Sequence, residues 1–464
     1  MQHERSAGQV RTAGQIAARI DRLPLTPVQW EMALLTQIAW GFIVGTDGIA
    51  AILYPFIWAP HHTITSFQYS VLFALEVGVG ILIGDYVMGF ASERFGRRSA
   101  LIASAILAGV FIWPFAFVTN FWWLALFSIL GTLGVGGMLS TNTVYMAEVL
   151  SPQVRGSVQL VCQMVASIIF GVVLVGILPF FLVPDYYREF LFILAGCQII
   201  ILLPLLYLRL PESPRWLEAH GHVERAEREM ARMEQRVLRY AKELPPYDTS
   251  RHEVIEIGDV PIFDLFKGEY ARRTVLLLAC WILGYGGIVY GIAAYRIVFI
   301  VAQHHGANFT FGLGLVGAVI GALTLLINAY WGEKVERRDT ILLGAVVFTV
   351  GVAIAYKGGS HASLLCLGFW IATVGTSLWL FNMYTYTANA FPTRVRAVGT
   401  GWTDGVGHLG AWLGPVIAGH LYGATPDHVW WFILIAVPGA LIPAILLREF
   451  GQRQRHAILE QLSA

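Results

Sequence analysis

Charge is what this sequence has least of. Only 13% of its 464 residues are Asp, Glu, Lys or Arg, while 56% are hydrophobic. A soluble protein carries roughly twice that charged fraction. The 31 basic and 30 acidic residues nearly cancel to a net charge of +1, so no global field attracts nucleic acid. There are only four cysteines, Cys162, Cys197, Cys280 and Cys366, all in apolar stretches without CxxC spacing. They read as small core hydrophobes, and neither a disulfide nor a metal site is expected. There is no GxxxxGK[ST] loop to cradle a nucleotide phosphate, which argues against direct ATP use. No nucleophile–base pair has a recognisable spacing, so neither an enzyme nor a cofactor is expected. The stretch before Pro27 carries Arg5, Arg11, Arg19 and Arg22 but no apolar core, and is not read as a cleavable signal.

What the sequence has instead is long apolar runs. A membrane-crossing helix needs about 20 mostly apolar residues. Runs of that kind lie near 30–57, 67–91, 99–118, 121–146, 157–180 and 189–209, then 274–302, 310–331, 340–357, 362–388, 396–422 and 429–448. The 48 glycines and 15 tryptophans suit close-packed membrane helices with interfacial aromatics. The expected fold is all-α: twelve transmembrane helices in two pseudo-symmetric six-helix bundles. Residues 1–29 form a tail, 30–209 and 274–448 the two bundles, 210–273 a central loop, and 449–464 a second tail. With both termini cytoplasmic, the external loops hold only Arg188 and Lys357, and Arg296 falls inside a span. The other 28 of 31 basic residues then lie on the cytoplasmic side, as the positive-inside rule requires. In the central loop, Val223, Ala226, Met230, Met233, Val237 and Tyr240 recur at three- and four-residue steps, marking one apolar helix face. It either packs beneath the bundle or binds a partner.

Two signatures repeat. Glu93-Arg94-Phe95-Gly96-Arg97-Arg98 returns as Glu333-Lys334-Val335-Glu336-Arg337-Arg338, 240 residues later. Tyr145-x-x-Glu148 with Arg155-Gly156 returns as Tyr386-x-x-Asn389 with Arg396-Ala397, 241 residues later. Two motifs at nearly one offset imply a six-helix unit used twice, as in many secondary transporters. On these residues the chain resembles the major facilitator superfamily over nearly its whole length. Gly89-Phe90-Ala91-Ser92-Glu93-Arg94-Phe95-Gly96-Arg97-Arg98 is similar to that family's motif between its second and third spans. Tyr145-x-x-Glu148, Arg155-Gly156, Pro211-Glu212-Ser213-Pro214-Arg215-Trp216-Leu217 and Phe391-Pro392-Thr393-Arg394-Val395-Arg396 resemble its sugar-porter and organic-ion branch. The resemblance implies a cytoplasmic gating network of Glu93, Arg94, Arg97, Arg98, Glu148, Arg155, Glu212, Arg215, Glu333, Arg337, Arg338 and Arg396 that holds one access state closed. The alternative is that the arginines only enforce topology.

Ionisable residues inside spans are functional candidates, because a charge at bilayer depth costs about 3 kcal/mol or more. Asp47, Glu76, Arg296, Asp404 and His408 qualify. Asp85 lies nearer the end of its span and is read as a partner of the Glu93–Arg98 motif. At about 1.5 Å per residue, Asp47 and Glu76 both sit about 15 Å below the external surface. If they face each other, one holds a proton. Asp404 and His408 are four residues apart on one helix face, where a carboxylate would favour protonated imidazole. Asp47, Glu76, Asp404 and His408 are thus the candidates for proton coupling; each could instead be a hydrogen-bonded structural group. Arg296 could snorkel to the interface or attract an anion.

In organic-ion relatives the position of His408 carries the charge that complements the substrate: Arg in nicotinate- and organic-anion-type members, Asp in organic-cation ones. Gln163 aligns with a glutamine that binds substrate in sugar porters. The chain departs from the family with Ser128 where proton-coupled relatives have Arg, without paired glutamines from Trp281 to Tyr295, and with Asn389 for a glutamate. The last makes the network asymmetric, and the missing glutamines disfavour a hexose. Trp281, Tyr285, Tyr290, Trp379, Tyr384 and Trp402 supply an aromatic lining. Substrate contacts are expected from Gln163, Arg296, His408, Trp379, Tyr384 and Trp402. The expected function is alternating-access symport of a small aromatic or carboxylic acid with protons, by a monomer in the inner or plasma membrane. A sugar carrier, an exporter of cationic or neutral drug-like compounds, and a non-transporting ligand sensor stay open.

Overall fold

The computed structural model describes residues 15–45, 53, 57–58, 63–171, 186–247, 262–291, 300, 307–332, 334–358, 361–391, 396–424 and 430–454. Asp47, Arg296, Glu333 and the Pro392–Val395 part of the second-half signature lie outside them. Among the described residues all regular structure is helical, and eight helices are long and apolar enough to cross a membrane.

The chain begins with α1 (Gln15–Asp21) and α2 (Pro27–Val44). A long rod follows: α3 (Ser66–Ala74), a π-helical stretch (Leu75–Gly80) and α4 (Ile81–Phe95). Next come α5 (Arg97–Phe111), α6 (Phe121–Val149) and α7 (Arg155–Phe170). Helix α8 (Tyr187–Gly196) continues through a π-helical stretch into α9 (Leu203–Arg209). Two short helices, α10 (Pro214–Ala219) and α11 (Val223–Val237), fill the polar loop. Then α12 (Gly268–Gly284) runs into a π-helical stretch, Tyr285–Val289. The last five are α13 (Ala307–Trp331), α14 (Arg337–Gly358), α15 (Ala362–Asn389), α16 (Arg396–Ala424) and α17 (Trp430–Phe450).

Lipid gives helices little hydrophobic reason to associate, so small residues that let backbones approach set the contacts. Gly134 on α6 faces α5, where an added Cβ would come within 2.4 Å of Ser104 O and 2.6 Å of Ala108 N. Gly375 on α15 faces α14 in the same way, 2.2 Å from Phe348 N and 2.6 Å from Gly344 O. The two glycines are 241 residues apart. Side-chain anchors recur at offsets of 240 and 241. Tyr145 OH donates to Pro211 O at 3.1 Å, and Tyr386 OH to Gln452 O at 3.0 Å. Arg98 donates to Tyr207 O, and Arg338 Nη1 to Arg448 O at 2.7 Å. The sequence repeat is therefore also a repeat of interactions. Helices from the two repeats touch along two seams, α4 against α16 and α7 against α13.

The polar ends of the sequence are more ordered than a tail and a loop. Helix α11 forms as its periodicity predicts and buries Ala226, Met230, Met233 and Val237, whereas Tyr240 lies beyond it and is exposed. Its partners include α1, inside the segment read from sequence as a tail, which buries Ile16, Ala17, Ala18 and Ile20. Arg19 joins the two helices, donating through Nη1 to Glu227 at 2.7 Å and through Nη2 to Glu234 at 2.5 Å. Arg22 adds a 2.6 Å bond to Glu234. Burial opposes ionisation of Glu234, but the hydrogen bonds and charges of Arg19 and Arg22 outweigh it and hold the carboxyl below its usual range.

A depressed carboxyl stabilises the fold above its free pKa and loses that contribution as pH falls through its folded pKa. The α1–α11 clasp is therefore complete at neutral pH and released in acid. Glu234→Gln is expected to cost about 1 kcal/mol and to speed tryptic cleavage at Arg19 and Arg22 at neutral pH. Unchanged cleavage would show that α1 is held by its apolar face alone.

Candidate functional site

At one end of the bundle a charged network ties loops to helices. Gly96 has φ 99°, a conformation that favours glycine, and an added Cβ would lie 2.2 Å from Glu212 Oε2. The turn delivers the first amides of α5 to Glu212, which accepts from Arg97 N (2.9 Å), Arg98 N (3.2 Å) and Ser213 N (2.9 Å). Burial pushes the Glu212 carboxyl up against the pull of these bonds. The Arg97 side chain, 1% exposed, pairs with Glu148 at 2.9 Å and Glu93 at 3.0 Å. Ser213 Oγ donates to Glu148 Oε2 at 2.6 Å, and Arg215 Nε to Glu148 O at 3.1 Å. Arg215 also pairs with Asp21 on α1.

Other residues expected in this network are placed differently. Arg94 is exposed and lies over the Phe95 ring. Arg98 and Arg338 anchor to backbone carbonyls rather than to carboxylates. Arg337 is buried, and Arg396 Nε donates to Phe391 O at 3.2 Å while its charge still acts on Glu148, as expected of the network. Arg155 Nη1 reaches Asn389 Oδ1 across the two repeats at 3.5 Å. Asn389 stands where the first repeat has Glu148, and among the described residues the network's carboxylates Glu93, Glu148 and Glu212 lie on the first-repeat side. A buried arginine whose loss strands a buried carboxylate costs about 3–5 kcal/mol, whereas an exposed one costs about 0.5 or less. Arg97→Gln should therefore melt far below wild type in detergent and Arg94→Gln close to it; equal melting would contradict the network.

A second cluster lies in the interior. Tyr285, in the π-helical stretch after α12, donates its hydroxyl to Asp404 Oδ1 and shares a 2.8 Å bond with Tyr384 OH. Trp281 Nε1 donates to Thr387 Oγ1 at 3.0 Å, and its ring packs 5.0 Å from Tyr384 and 5.9 Å from Trp379. The His408 ring lies 4.3 Å from Tyr285 and 5.8 Å from Tyr290. Asp404, His408, Trp281 and Trp379 have no exposed surface. Tyr384 joins the His408 cluster through Tyr285, and Trp379 through Trp281. Trp402 does not: it lies edge-on between Tyr86 and Phe266, away from this cluster.

The Asp404–His408 relation differs from the sequence expectation. His408 Nδ1 lies 2.9 Å from the Asp404 backbone carbonyl, and the Asp404 carboxylate turns to Tyr285. The carboxylate facing His408 Nδ1 is Asp85 Oδ2, at 3.7 Å. Asp85 was expected in the Glu93–Arg98 network; instead it is buried against α16. Eight residues separate it from Glu93, about 12 Å along the helix, too far to join that network. Its own depth was the available signal. Glu76 is buried elsewhere, beside Ser128 and Thr132, in a cavity of about 20 Å³ also lined by Phe111, Phe115 and Phe127. Such a space holds about one water. Gln163 is buried on α7.

Comparison with known proteins places the chain. Residues 31–441 match the Sugar (and other) transporter family. The niacin transporter NiaP of Acinetobacter baylyi is 24% identical over 96% of this chain and 99% of its own. The 4-hydroxybenzoate transporter PcaK of the same organism is 28% identical over 89% of this chain and 90% of its own. Among solved structures, the proton:xylose symporter XylE superposes with a TM-score of 0.68 at 18% identity, over 96% of this chain and 98% of that one. That likeness speaks to fold alone. The chain belongs to the Sugar (and other) transporter family of the major facilitator superfamily: an integral membrane protein and secondary active carrier of a small organic solute, not an enzyme.

Proposed function

We propose that this protein is a proton-coupled symporter of a small aromatic or carboxylic acid, working by alternating access between two six-helix bundles. One observation carries the substrate class. His408 is sealed among Tyr285, Tyr290 and their neighbours, and its Nε2 has no hydrogen-bond partner. A buried polar atom without a partner is costly, and a ligand that satisfies it recovers that cost. A carboxylic acid can donate to Nε2, and a carboxylate can pair with the ring once it is protonated. Either route brings in one organic anion with one proton. The aromatic walls suit a flat, partly apolar body.

The relatives agree with this class, since two of them are named for niacin and 4-hydroxybenzoate. The two-bundle reading is supported by anchors that recur at a fixed offset and by the XylE-like fold. The skew of basic residues supports cytoplasmic termini. In that orientation the Arg97–Glu148–Glu212 network and the α1–α11 clasp lie on the cytoplasmic side, where the halves must part to release solute inward. A sugar is the second reading; a D-xylose transporter of Levilactobacillus brevis matches at 24% identity over 70% of this chain. The interior cluster described here is aromatic and carries few amides, which favours an acid.

Uptake into proteoliposomes should rise with an inward proton gradient and be competed by aromatic acids, not by sugars or organic cations. A gradient-independent rate would remove the symport. His408→Ala should weaken acid binding by roughly tenfold and flatten its pH dependence without preventing membrane insertion. An unaltered pH profile would take His408 out of the site.

A further inference from the structure

The two seams between the repeats are built alike but filled differently. In the α4–α16 seam, Asp85 packs between Gly401 and Gly405; an added Cβ on either would come within 2.9 Å of an Asp85 atom. In the α7–α13 seam the residue 240 positions on from Asp85 is Leu325, and the counterparts of Gly401 and Gly405 are Leu160 and Met164. That seam is an apolar cluster of Leu160, Leu325, Ala329 and their neighbours. Gln163 and Ser167 stand there in place of Asp404 and His408. Among the described residues, this scaffold, used twice, places carboxylates and an imidazole at these positions in one seam and not in the other. Topology and helix packing do not require them, because the apolar seam meets the same demands without them.

Asp85, Asp404 and His408 each place a nitrogen or carboxyl oxygen within 4.8 Å of the others, and none has exposed surface. Of the four carboxyl oxygens only Asp404 Oδ1 has a donor at good geometry, the Tyr285 hydroxyl; Asp85 has only the backbone and hydroxyl of Ser140 close by, too poorly aligned for a formed bond. Around Asp85, α16 contributes Asp404 and His408. The stretch after α12 contributes Tyr285, with Tyr384 of α15 behind it. Helix α6 contributes Ser140, whose hydroxyl goes to Gly136 O at 3.2 Å. Among the described residues no arginine or lysine pairs with either aspartate. His408 Nδ1 faces the Asp404 carbonyl, so it carries its hydrogen there and offers the carboxylates no lone pair. A metal ion is therefore poorly served, whereas a proton needs only the two carboxyls. Two like charges this close in a dry seam cannot both be tolerated.

We propose that Asp85 and Asp404 hold one shared proton across the α4–α16 seam, with the His408 ring beside them, and that loading this proton is the condition for the seam to close. The site deepens the symport reading and rests on it for its purpose, not for its existence. It couples the proton to the contact between the two halves: loss of the proton leaves two carboxylates in a seam closely packed at Gly401 and Gly405, and drives the helices apart.

Infrared titration of the purified protein in nanodiscs, in H2O and D2O, reads the shared proton without any substrate. A protonated-carboxyl C=O band is expected at neutral pH and should disappear as pH rises. Asp85→Asn and Asp404→Asn should each remove that component; Asp85→Glu should restore it, displaced; Glu76→Gln, in a separate cavity, should leave it. If one variant does not fold, the other serves. No such band in wild type, or a band that survives both substitutions, overturns the pair. In parallel, Asp85→Asn should lower gradient-driven acid uptake at least tenfold. If wild type itself moves no acid, the transport reading fails while the infrared result still decides the proton site.

Discussion

Every informative feature of this protein follows from one constraint: a charge moved into a bundle of apolar helices must be neutralised by a partner or by a proton. Arg97 meets it with Glu93 and Glu148, and Glu148 gains a further donor in Ser213. Glu212 meets it with three backbone amides at the start of α5. These carboxylates are fully provided for by the chain. Asp85 is not: among the described residues its ionisable neighbours are another carboxylate and an imidazole. The same rule that accounts for the first group makes the second the candidate for function.

The duplicated architecture sharpens that distinction. Shared positions report what the scaffold needs: glycines at the α5–α6 and α14–α15 contacts, tyrosines anchoring Pro211 and Gln452, arginines on Tyr207 and Arg448. Positions that differ report what has been added. Glu148 against Asn389 concentrates the charged network on one side. Asp85, Asp404 and His408 against Leu325, Gln163 and Ser167 place the titratable groups in one seam.

Much of this was legible before any coordinates. Hydropathy pointed to the eight spans found among the described residues, because lipid demands about 20 apolar residues per crossing. The repeat was visible because motif residues at helix ends are held by specific bonds. The α11 face was readable because a charged helix has to hide its few apolar residues on one side. What failed were relations across helices. Asp404 and His408 share a face, but sequence spacing could not say that the carboxylate would turn to Tyr285 and leave the imidazole facing Asp85. Trp402 shares a helix with them and points elsewhere. The α1 helix was missed because seven residues are too few to show a period. Nothing in the sequence alone pairs α4 with α16, so the assignment of Asp85 went to its neighbour in the chain instead of its neighbour in space.

The most direct test follows protons and solute together. Proteoliposomes holding a pH-sensitive dye, with no pre-formed gradient, should acidify inside when an aromatic acid is added at a pH where it is ionised. The acidification should track uptake of the labelled acid and vanish with Asp404→Asn. Uptake without acidification would contradict coupled transport and leave the buried carboxylates without a transport role.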